Sequence, residues 1–239
     1  MLNSFFVLFV YAYRMHIKNQ PIKKYVGLFL LLVAVCPPLY AHDIVLDLDK
    51  MSGSQTALYY TWMGYKHILP LGFDHILFVL SLFLLSPSLK PILWQSLAFT
   101  IAHSVTLGLS MYAVIKPSPA IVEPLIALSI LYVALENIFS TTLKPARIGV
   151  VFLFGLVHGM GFAGALQELG LPQKSYLSSL VLFNVGVELG QLTIILAAYF
   201  LVGKWMRNKP GYRPYIVIPV SLLIALTAAY WTIERIFFN

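Results

Sequence analysis

KHILPLGFDHILF, residues 66–78, opens an apolar run yet carries His67, Asp74 and His75. On one continuous helix, His67 and Asp74, seven residues apart, fall on nearly the same face. His75 is turned roughly 100° from Asp74. Placing a carboxylate at the centre of a bilayer costs about 2.5–3.5 kcal/mol on insertion scales. Such groups therefore face a protein interior, a water-filled cavity or a bound ion, or else pair with neighbouring helices as structural glue.

The rest of the chain sets the same frame. Of 239 residues, 59% are hydrophobic and 10% charged, against about 25% charged in soluble domains. This composition predicts an all-α, polytopic transmembrane bundle. A single cysteine, Cys36, excludes a disulfide framework within the chain. The formal charge of +7 sits at the ends of apolar segments, where topology uses it, and is not a nucleic-acid signature. The partners expected from sequence are the lipid bilayer and a metal ion, with no nucleic acid; self-association into a homo-oligomer stays open.

Residues 1–41 read as a targeting region. Lys18, Lys23 and Lys24 form a basic segment, 26–36 a short apolar core, and Pro37-Pro38 breaks it before Ala41. Met15 is an alternative start, and an uncleaved anchor the alternative to cleavage before His42. Residues 42–65 form a short exported segment, with a strand-like HDIVLDLDK at its start and Tyr59, Tyr60, Trp62 and Tyr65 as an interface belt. Residues 66–239 are expected to hold about six spans, near 69–85, 91–115, 120–141, 148–169, 175–202 and 215–236, each approaching the roughly 20 residues that cross a bilayer. One set of connecting loops carries Lys90, Lys144, Arg147, Lys204, Arg207, Lys209 and Arg213; the other carries Lys116 and Lys174. The positive-inside rule places the first set in the cytoplasm and both termini outside, in the inner (cytoplasmic) membrane.

Polar residues inside these spans carry the chemistry. Four of the six histidines (His67, His75, His103, His158) and four of the nine acids (Asp74, Glu123, Glu136, Glu188) lie there. Ser129, Tyr132 and Glu136 share a face of the third span, and Asn184, Glu188 and Gln191 a face of the fifth. Gly155 and Gly159 suit close helix packing. Counting about 1.5 Å per residue sets His67, Asp74, His75 and Glu123 toward the outside, His103, His158 and Glu188 near the middle, and Glu136 toward the cytoplasm. His67 reads as an entry ligand; Asp74 and His75 as ligands of an outward-facing site; His103 and His158, with Glu188 as partner, as a mid-depth set. Imidazole with carboxylate suits divalent Ni, Co, Zn or Fe, with Cu also open. A ladder of ligands is what an ion path needs, which favours transport over catalysis.

The motifs HILPLGFDHILF, AFTIAHSVTL, LENIF, GLVHGMGFAG and FNVGVELGQ, in that order, resemble the HupE/UreJ family of small membrane proteins. The resemblance implies nickel or cobalt uptake, with His67, Asp74 and His75 matching the family's His followed by Asp-His, and His158 its His-Gly. Six residues separate His67 from Asp74 where nickel-associated members have five, and Phe154 stands where they carry a second histidine. The chain thus looks like a second branch of the family. Two other classes stay open: an intramembrane metal-dependent hydrolase with His75, His103 and His158 as ligands and Asp74 or Glu188 as base, and a non-transporting membrane partner whose buried histidines and acids are relays or glue. No G-x-S-x-G elbow and no P-loop occurs.

Overall fold

The structure, a computed structural model, describes residues 52–163 and 176–238, and seven long helices carry these described residues. They are α1 (Gly53–Ile68), α2 (Phe73–Leu85), α3 (Leu89–Met111), α4 (Pro119–Phe139), α5 (Arg147–Gly161), α6 (Tyr176–Ala198) and α7 (Ile218–Phe237). A π-helical turn, Tyr199–Gly203, and a short turn, Lys204–Met206, extend α6; a second π-helical turn, Arg213–Val217, leads into α7. Every regular element among the described residues is helical. α3, α4, and the extended α6 and α7 are each long and apolar enough to cross a membrane, and α1 with α2 makes a fifth candidate as one broken span, bent by 69°. α5 is shorter at 15 residues, and the rest of the expected span 148–169 runs into residues that are not described. The targeting region 1–41 and the strand-like HDIVLDLDK also lie outside the described residues.

The broken span differs from the single helix expected over 69–85. Pro70 disfavours helical backbone at the residue before it, and Leu69 is extended at φ −126°, ψ 118°. α1 ends there, closed by Leu69 N–H to Tyr65 O and Gly72 N–H to Ile68 O. Helix resumes at Phe73. Residues 53–65, expected as part of an exported segment, form the body of α1. The helix starts on a capping box in which the Ser52 hydroxyl accepts from Gln55 N–H and the Gln55 side chain accepts from Ser52 N–H.

Small residues set the pairing. α1 lies along α6, α3 along α5, and α4 along α7. At Gly186 an added methyl would overlap the Thr61 carbonyl of α1, and at Gly159 it would overlap the His103 carbonyl of α3. Both backbones come within reach only because no Cβ stands between them. The Gly155–Gly159 pair therefore does the packing that its spacing predicts.

The two ends of the bundle are tied differently. At the end holding the Lys- and Arg-rich loops, Arg213 donates to the carbonyls of Asn137, Ile138 and Ser140 at 3.2, 2.8 and 2.7 Å, closing the C-terminus of α4. Asn137 donates to Ser81 O at 2.8 Å, and Arg147 pairs with Glu136 at 3.3 Å. At the opposite end, Arg235 of α7 donates to the Glu123 carbonyl of α4 at 3.0 Å. The candidate site lies near this second end.

Candidate metal centre

The break between α1 and α2 puts His67 on the last turn of one helix and Asp74-His75 on the first turn of the next. They do not share one helix face, as a continuous helix would have had them. The bend brings them together instead: the His67 and His75 rings are 4.7 Å apart between centroids. His103 from α3 lies 6.0 Å from His67 and 5.9 Å from His75, and His158 from α5 lies 5.1 Å from His75. Ligand atoms of His67, His75 and His103 lie within 4.8 Å of one another, as do those of Asp74, His75 and His158. Metal–nitrogen bonds of about 2.0–2.1 Å hold two ligand atoms at most about 4.2 Å apart. Side-chain movements of under about 1 Å would close either group around an ion.

Three of the rings have their tautomers set by what the second nitrogen meets. His75 Nδ1 is 3.0 Å from Asp74 Oδ1, which also accepts the His75 backbone N–H at 2.8 Å. A carboxylate oxygen only accepts, so Nδ1 carries the proton and Nε2 keeps its lone pair. His103 Nδ1 is 3.2 Å from Asn184 Oδ1, while Asn184 Nδ2 donates to Leu180 O at 2.9 Å. The amide is thereby oriented, Nδ1 donates, and Nε2 is the free base. His158 Nε2 is 2.9 Å from Ser129 Oγ, and that hydroxyl donates its one proton to Ile126 O at 2.7 Å. Ser129 must then accept from His158 Nε2–H, which leaves Nδ1 as the free base. His75 Nε2, His103 Nε2 and His158 Nδ1, together with His67 Nε2, are buried with no hydrogen-bond partner among the described residues. Buried polar atoms are normally paired. Rings held from behind by a carboxylate, an amide and a hydroxyl, each presenting a bare nitrogen, match how metal-ligating histidines are supported.

A cavity of about 240 Å³ adjoins the cluster, lined by His67, Asp74, His75 and His158 together with Glu123, Ile126, Gly161, Phe162 and Arg235. The Phe162 and His67 ring centroids are 3.8 Å apart. Glu123, expected toward the outside, thus borders the site at the N-terminal end of α4.

Several expectations change. The four histidines do not spread through the bilayer as a ladder: His103 and His158 sit level with His67, Asp74 and His75. His67 is a member of the cluster and not a separate entry ligand. Glu188 is not brought to it. It lies further along α6, where its carboxylate accepts from Ser96 Oγ at 3.3 Å and Thr100 Oγ1 at 2.5 Å. Asn184, Glu188 and Gln191 do share one face, all turned to α3. Glu136 pairs with Arg147 at the far end. Ser129 and Tyr132 part company, since Ser129 is buried against His158 while Tyr132 is 49% exposed. The sequence reading did not single out Ser129 or Asn184 as supports of the histidines, did not name Arg235, and took Arg147 only as a loop charge where the structure buries it against Glu136. Only the buried polarity of Ser129 and Asn184 pointed that way.

The family model for HupE / UreJ protein matches residues 44–235. No curated protein and no solved structure matches the chain. The match spans well over half of the 239 residues, and the multi-pass helical architecture agrees with it: the chain belongs to the HupE/UreJ family.

Proposed function

We propose that this chain is a divalent transition-metal permease, carrying nickel- or cobalt-like ions across the inner membrane with both termini outside. The family is associated with nickel and cobalt transport. The observation that carries the reading is the position of the imidazole–carboxylate cluster at the break in a discontinuous span. Transporters build ion sites at such breaks, where one half-helix ends and another begins. The C-terminal carbonyls of α1 favour a cation there, and Asp74 adds a full negative charge. The bare nitrogens of His75, His103 and His158 supply the metal bonds. In this reading the site faces outward, since it lies at the end away from the basic loops.

A second reading gains from one specific finding. The histidines form a single compact cluster, which a metal-dependent hydrolase needs and a path alone does not. The 240 Å³ cavity beside it exceeds a bare ion, given roughly 30 Å³ for a water. The two readings separate on reconstituted protein. Asp74→Asn keeps an acceptor for His75 Nδ1–H, so the tautomer survives and only the charge is lost. In the permease, Asp74→Asn and His158→Ala lose vesicle uptake of Ni²⁺ or Co²⁺ at least tenfold, in line with loss of a ligand or its support. Metal bound by the wild type with no uptake favours the hydrolase. Unchanged metal content and uptake in both variants, with only a lower Tm, ends both metal readings.

A further inference from the structure

The cavity beside the imidazole cluster is bordered by two residues of opposite charge that do not pair with each other. Glu123 stands near the start of α4 and Arg235 on the last turn of α7, and both are partly buried. Arg235 Nη1 donates to the Glu123 backbone carbonyl at 3.0 Å, not to its carboxylate. Among the described residues the acid–base pairs within ion-pair distance are Asp74–His75 and Glu136–Arg147. The other nitrogens of Arg235 make no hydrogen bond among those residues; the guanidinium lies 5.5 Å from the Trp231 ring. A simple tie between α4 and α7 would join guanidinium to carboxylate. Here each charge borders the cavity unpaired.

A guanidinium is out of place beside a site for a bare divalent ion, because like charges repel most strongly where water is scarce. The last turn of a helix favours a cation, but that does not bring the cation to the cavity of the histidines. An anion resolves the conflict. Asp74 and Glu123 bring two negative charges, while Arg235 and a divalent ion bring three positive ones. One carboxylate closes that balance. The planar fork of an arginine matches a carboxylate, and its free donors are what such a group needs. At about 240 Å³ the cavity is smaller than the roughly 300–1,000 Å³ of drug-sized pockets, so it suits a ligand of a handful of heavy atoms.

We propose that the cluster receives its ion together with one small monocarboxylate chelator, an α-amino or α-hydroxy acid, whose carboxylate is held by Arg235. The inference rests on the metal reading of the cluster and names the form in which the ion is bound. One carboxylate oxygen and the amine or hydroxyl bond the ion beside the bare nitrogens of His75 and His158. The other carboxylate oxygen accepts from Arg235. Glu123 accepts a hydrogen of the coordinated amine or hydroxyl.

The test uses the full chain in detergent, with Co²⁺ as the ion and radiolabelled glycine and glycolate as the two chelators. Wild-type protein retains glycine or glycolate on equilibrium dialysis only when Co²⁺ is present, with at most one label per chain. Arg235→Gln still binds Co²⁺ added alone, which shows that it is folded, yet its retention of the label falls about tenfold or more, as loss of a charged hydrogen-bond partner implies. Arg235→Lys keeps the charge and a donor for the Glu123 carbonyl but not the fork, and its retention falls as well. Should Arg235→Gln not fold, the lysine variant and the wild-type dialysis still decide. Co²⁺ bound by the wild type with neither label retained, or retention unchanged in either variant, overturns the proposal and leaves the metal site standing. No Co²⁺ bound by the wild type under any of these conditions brings down the metal reading itself, and the proposal with it.

Discussion

Ser129 determines which nitrogen His158 offers, because its own proton is committed to the Ile126 carbonyl one helical turn back. The same logic holds for Asn184 behind His103 and Asp74 behind His75. Ser129 and Asn184 each sit on a helix surface where the sequence shows only one more polar residue among apolar ones. Ser129→Ala removes the acceptor and frees the ring to rotate or change tautomer. Loss of such a support typically weakens metal binding about 10–100-fold. We expect Co²⁺ titration of Ser129→Ala to show a loss in that range, with helix content and Tm close to wild type. An unchanged affinity would mean that His158 does not act through Nδ1.

At the scale of the elements, the site depends on how closely α5 approaches α3. His158 neighbours Gly159, whose missing side chain lets the α5 backbone rest against the carbonyl of His103. Gly159→Ala forces the two helices apart at the point where His103 and His158 are mounted. Overpacking of this kind costs about 1–3 kcal/mol. The expected outcome is a lower Tm together with weaker Co²⁺ binding. Gly149→Ala is the control: it lies on the same helix, and a methyl there meets nothing within 4 Å. Equal effects of the two substitutions would show that helix propensity, and not the approach of α3, is being read.

Across the described residues the basic loops gather at one end and the histidine cluster near the other. Arg213 belongs to the first end and is fixed by three carbonyls of α4; Arg235 belongs to the second. If the basic end is cytoplasmic, α7 finishes outside. A reporter that is active only in the cytoplasm, fused after Asn239, should then be silent. Strong activity would reverse the orientation and make the cluster face inward.

Composition alone settled the class, because a chain with 59% hydrophobic and 10% charged residues has too little polar surface for water. The order of motifs settled the family, and side-chain type settled which residues could ligate a metal. Periodicity within a helix placed Asn184, Glu188 and Gln191 on one face and marked Gly155 and Gly159 for packing, since both patterns are local. Depth was misjudged for a local reason too. Starting the first span at residue 69 put His67 at the interface, whereas the 16-residue α1 carries it inward and starts α2 already inside the bundle. That shift of origin turns a ladder of histidines into a cluster. Which helices face each other is decided by backbone approach at glycines far apart in sequence. Only the tertiary structure could therefore join His67, Asp74, His75, His103 and His158, and leave Glu188 apart, bonded to Ser96 and Thr100.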